Sequence, residues 1–158
     1  MTNPALSILN SNLLACEQRV DKLIYSLNKI RGLFPLDGQA LALLSEEQEE
    51  SIDALILRYS QSVAMIQDQL FRGIAYVEQE DISDKSNRDK ALLMEKLGAI
   101  QSAEAFGSAA MLRNKFAHHY PEETAARLER LNLVIEESEY LIETFHQIKD
   151  YLHTKNIV

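Results

Sequence analysis

Residues 5–31 read ALSILNSNLLACEQRVDKLIYSLNKIR, with apolar side chains at Leu6, Leu9, Leu13, Cys16, Val20, Leu23, Leu27 and Ile30. The spacing alternates three and four, which places all eight on one stripe of an α-helix. Sustained over this length, the same alternation suits a coiled-coil-like seam, within the chain or between chains. Asn3 and Pro4 supply a start signal, and Gly32 a stop.

Outward from this helix the pattern stays helical. Residues 32–44 form a connector with turn signals at Gly32, Pro35 and Asp37-Gly38, and its leucines predict that it packs down with one helical turn. A second helix is predicted over 45–78, opened by a Ser45/Gln48 capping box and an acidic first turn, with the stripe Ile52, Leu55, Tyr59, Val63, Ile66, Leu70 and Val77. Residues 80–87 are polar and break the period. A third helix is predicted over 88–100, capped by Ser86 or Asn87, with Gly98 either ending it early or the helix running on into the next. The fourth, 102–118, is rich in small residues, among them Ala103, Ala105, Gly107, Ser108, Ala109 and Ala110, which let another helix approach closely. The fifth, 122–153, carries Leu128, Leu131, Ile135, Ser138, Ile142, Phe145 and Leu152 on its stripe. Strand signals are absent. The expected fold is an all-α, antiparallel four- or five-helix bundle in one domain spanning 1–158.

The bulk numbers narrow the classes. A single cysteine among 158 residues excludes an intrachain disulfide and a thiolate-rich zinc site. Cys16 sits in the apolar stripe and reads as core, not as a nucleophile. No apolar run is long enough to span a membrane, and the N-terminus has no basic region of a secretion signal, so a cytoplasmic protein is expected. The net charge of −8 is unevenly spread. Residues 45–81 hold nine acidic against two basic side chains, and residues 121–158 eight against four. Residues 85–119 reverse the balance, with six basic and three acidic. An acidic chain with one basic stretch directs attention to that stretch.

It ends in Arg113-Asn114-Lys115-Phe116-Ala117-His118-His119-Tyr120-Pro121. Asn114 and His118, four apart, share a helix face. Arg113 and His118 lie roughly 140° apart around an ideal helix. They converge on one atom only if the helix ends near His118 or a partner closes the site. Metal-free RNA cleavage uses the 2′-hydroxyl as internal nucleophile, and it needs a base, an acid and positive charge on the phosphorane. Histidine suits the proton transfers, and arginine, with fixed donors and a permanent charge, suits the phosphoryl group. One copy of the motif offers few groups. Two copies across a two-fold axis offer two of each, with the small-residue face of the fourth helix as contact surface.

Arg113-Asn114-(x)₃-His118 resembles the Arg-(x)₄₋₆-His signature of HEPN domains, and with Tyr120 the segment resembles the HepT branch of RNase toxins. The resemblance implies a helical bundle that dimerises through the motif-bearing helix, with a metal-independent endoribonuclease site. Arg113 and His118 would be catalytic, Asn114 and Lys115 would position substrate, and Tyr120 would contact RNA or accept AMP. It also implies a partner, an MNT-type nucleotidyltransferase antitoxin, and no cofactor. The alternative within the same resemblance is a non-catalytic adaptor that binds a nucleotidyltransferase.

Each residue has a plainer role available. Arg113 can pair with a carboxylate, His118 can satisfy terminal carbonyls, Asn114 can bond to backbone and Tyr120 can wedge under the turn. His146 and His153 share a face of the fifth helix without an evident third metal ligand, and Glu78, Glu80 and Asp81 do not by themselves specify a metal site. The expectation is therefore no metal.

Overall fold

The computed structural model describes residues 3–118 and 123–157. Its elements are α1 (Pro4–Ile30), a 3₁₀ turn (Arg31–Leu33), α2 (Gly38–Ala42), α3 (Glu46–Met65), a π-helical turn (Ile66–Leu70), α4 (Phe71–Val77), α5 (Asn87–Leu97), α6 (Ala103–His118) and α7 (Thr124–Thr154). No strand occurs among the described residues. The all-helical bundle expected from periodicity is the fold observed.

The N-terminal caps follow the sequence closely. The Asn3 side chain accepts from the Ala5 N–H at 3.0 Å and opens α1. The capping box of α3 is complete: Ser45 Oγ accepts from the Gln48 N–H at 3.1 Å, and Gln48 Oε1 accepts from the Ser45 N–H at 2.9 Å. Ser86, not Asn87, caps α5 by accepting from the Asp89 N–H. Ser102 caps α6 through the Ala105 N–H. Gly98 ends α5 in the left-handed conformation at φ 89°, where Ala99 N–H turns back to the Met94 carbonyl. The third and fourth predicted helices are thus separate.

Helix α1 buries Leu9, Leu13, Cys16, Val20, Leu23, Leu27 and Ile30, as its stripe requires. It lies mainly along α3 and also against α4 and α7. Burial pushes the Cys16 thiol up to about 12, so it stays protonated as a small core side chain. The closest approach between α1 and α4 is at Gly73, where a Cβ would meet Leu9 Cδ1 at 2.8 Å. The connector packs down as expected. Leu36 and Leu41 are buried, and the Asn132 carboxamide on α7 clamps the backbone of Leu36, accepting from its N–H at 2.8 Å and donating to its carbonyl at 2.9 Å.

Two stripes differ from the expectation. On α7 the inward residues are Leu131, Val134, Ser138, Leu141, Phe145, Ile148 and Leu152, while Leu128, Ile135 and Ile142 are only half-buried. This set repeats three-four throughout, so α7 matches α1 as a second seam. On the second predicted helix the π-helical turn rotates the stripe. Phe71, Ile74 and Ala75 become core, and Val77 moves to the margin.

Candidate functional site

Helix α6 is held from three sides. The Phe106 ring packs on Phe71 of α4 with centroids 4.9 Å apart. Tyr59 of α3, fully buried, donates its hydroxyl to the Ala109 carbonyl at 2.6 Å. Arg130 of α7 donates to the Lys115 carbonyl at 3.4 Å. The Tyr59 bond falls four residues before Arg113, so α3 sets the height and rotation of the motif-bearing turns. Burial, and then the charge of Glu137, raise the Tyr59 hydroxyl far above its ordinary range, which keeps it a neutral donor.

The small residues of α6 serve two purposes. Ala103 and Ala109 face inward and are buried, which lets α6 lie close on its own bundle. Gly107 and Ser108 face outward, and a Cβ at Gly107 would meet open space. Only part of the small-residue face is therefore presented to solvent. It continues along α6 as Met111, 59% exposed, then Asn114, Lys115 and His118.

Arg113 is half-buried. Among the described residues neither its guanidinium nor the His118 imidazole has an ion pair or side-chain hydrogen bond. Among the described residues, then, Arg113 is not paired with a carboxylate. His118 is the last residue of α6 and still helical. It stands five positions after Arg113, roughly 140° of rotation and 7.5 Å of rise. Within one chain the two side chains leave the helix in different directions, and Asn114 shares the His118 side. Tyr120, with His119, lies outside the described residues.

Between α5 and α6 runs a groove of about 910 Å³. Arg113 and Asn114 line one end of it, whereas Lys115 and His118 do not. Arg88 of α5 also lines it. Glu95, on the same wall, is engaged in accepting from the Ala103 N–H at 3.2 Å. Beneath lies Gln67, a residue that the sequence reading missed. It stands on the π-helical turn and is only 6% exposed. Its signal was present: Tyr59, Val63 and Gln67 are spaced four apart, which puts a carboxamide on an apolar stripe.

Among the described residues, no group of three His, Cys, Asp or Glu is placed to hold a metal ion, and no helix is long and apolar enough to cross a membrane. Comparison with known family models, curated proteins and solved structures finds no match.

Proposed function

We propose that this chain is a metal-independent endoribonuclease of the HEPN type, acting as a homodimer, and that it is the toxin of a two-gene system whose partner is an MNT-type nucleotidyltransferase. The observation that carries the reading is an arginine without an ion pair among the described residues and an exposed histidine, both on the last two turns of a rigidly held helix within the chain's basic stretch.

In the reaction, an imidazole removes the proton of the RNA 2′-hydroxyl. The 2′-oxygen attacks phosphorus and the bond to the 5′-oxygen breaks. A second imidazole returns a proton to that leaving oxygen, which yields a 2′,3′-cyclic phosphate and a 5′-hydroxyl. Arg113 neutralises charge on the phosphorane. Asn114 and Lys115 orient the strand.

The need for two imidazoles and the divergence of Arg113 from His118 both favour a site completed by a second copy. The surface suited to that copy is the outer face of α6, where Gly107 and Ser108 permit close approach and Met111 offers apolar area. A two-fold axis there sets the two motifs beside each other. Tyr120 is the residue on which the antitoxin would place AMP, and a mass gain of one AMP unit lost in Tyr120→Phe tests that step.

The main test is cleavage of RNA by the purified protein in EDTA. His118→Ala should lower the rate by at least about 10²-fold, the usual weight of one proton-transfer group. Equal cleavage by the variant would overturn the mechanism. An RNase-silent wild type that binds a nucleotidyltransferase tightly would make the chain an adaptor.

A further inference from the structure

The groove between α5 and α6 is built around a polar group that the fold itself leaves unused. Gln67 is buried to all but 6% and lines the groove from below, yet no hydrogen bond joins its carboxamide to any described residue. The amide is not sealed off: the fully buried side-chain atoms left without a partner among the described residues are those of Ser138 and Tyr151, so the Gln67 carboxamide opens onto the groove. The residue also stands on a π-helical turn, a departure from the α-helix found mostly where function requires it. The extra residue of that turn keeps Ile66, Gln67 and Leu70 all buried together. An α-helical run serving packing alone would place a leucine at this position.

Around the amide the walls are mixed: Ala91, Leu92 and Phe106 are apolar, with Leu92 42% exposed at the rim, while Asn87, Ser102, Glu95 and Glu104 are polar or acidic. Two guanidiniums, Arg88 and Arg113, stand on the lining without ion pairs among the described residues. A partly apolar wall, a donor–acceptor pair open to the groove and two cations on the lining are features that receive a nucleobase with its flanking phosphates.

We infer that this groove holds one unpaired adenosine of an RNA strand, with the Gln67 carboxamide paired to the adenine edge and Arg88 and Arg113 on the neighbouring phosphates. A glutamine amide matches adenine, donating to N7 while accepting from the N6 amino group. The volume admits a two-ring base. The inference deepens the nuclease reading, on which it rests, by naming the base beside the scissile phosphate. It makes Arg113 the link between the groove and the site of cleavage.

The test uses the full chain and short oligonucleotides without 2′-hydroxyls, which cannot be cleaved, each carrying one central A, C, G or U-equivalent base in a uniform flank. Binding followed by fluorescence anisotropy should favour the central adenine by about tenfold, the weight of one good bidentate base contact. Gln67→Met, which keeps the side-chain length but removes the amide, should erase that preference. Arg88→Ala, at an exposed position, should weaken all four oligonucleotides alike and lower the salt dependence. Free AMP should bind at least about tenfold more weakly than the strand, because it lacks the second phosphate.

Equal affinity for the four bases, a preference for another base, or an adenine preference that survives Gln67→Met overturns the inference, as does AMP binding as tightly as the strand. If Gln67→Met fails to fold, the wild-type base preference and the uniform loss in Arg88→Ala still decide. His118→Ala separates the two proposals: it should slow cleavage at least about 10²-fold and leave the adenine preference intact. Undiminished cleavage by that variant would sink the nuclease mechanism without touching the base preference.

Discussion

At the scale of single residues, a buried tyrosine hydroxyl helps to place α6. The Tyr59 hydroxyl meets the Ala109 carbonyl one turn ahead of Arg113. Tyr59→Phe should cost about 1 kcal/mol, the net worth of an ordinary hydrogen bond, because the carbonyl keeps its place in the helix. Urea denaturation reads this as a lower midpoint at constant slope. Glu137, on α7, gives a pH signature. Burial, then its neighbour Glu136, hold its carboxyl above the usual range. The folded chain therefore binds this proton more tightly than the unfolded chain does. The stability this contributes is present in acid, below the ordinary carboxylate value, and is lost as pH rises through the raised one. Relative to wild type, Glu137→Gln should gain stability as pH rises above the ordinary carboxylate range, and denaturation curves with a difference that stays flat across pH would contradict it. The sequence displayed Arg113, Asn114 and His118 openly because their spacing is local. The spacing of Tyr59, Val63 and Gln67 marked Gln67 as facing inward, but the groove it lines is formed by α5 and α6, which are distant along the chain.

At the scale of elements, periodicity and caps carried most of the reading. α1 is the clearest case, since one strict stripe between Pro4 and Gly32 leaves no competing period. Ser45 with Gln48 was equally legible, being a contact across three residues. The π-helical turn was not, because it changes the helical repeat itself. A stripe projected at 3.6 residues per turn then overshoots to Val77 and misses Phe71 and Ile74. On α7 the error was one of choice between adjacent apolar residues: Val134 and Ile135, Leu141 and Ile142 stand side by side, and only the position of α1 and α3 decides which pair faces inward. Gly98 illustrates a break that the sequence marked without settling. With φ at 89°, Gly98→Ala should lower stability by about 1 kcal/mol, seen as a lower melting temperature. No change would mean that the α5–α6 corner relaxes out of the left-handed region.

At the scale of the whole molecule, two heptad-spaced helices, α1 and α7, form the rigid side of the bundle, tied by Arg31 to Glu139 at 2.8 Å and Lys149 to Glu17 at 2.7 Å. Such partly exposed pairs add little stability, so the seam rests on its apolar stripes. The opposite side, α5 and α6, carries the groove, the exposed Met111 and the basic stretch. The proposed second copy would meet the chain on this side. The most direct test of the two-copy site is to unfold wild-type protein with a tenfold excess of His118→Ala, refold the mixture, and measure RNA cleavage in EDTA. If two imidazoles serve one phosphodiester, activity per wild-type chain should fall about tenfold, as most wild-type chains are then paired with a variant. Activity per wild-type chain that stays unchanged would contradict a site shared between subunits.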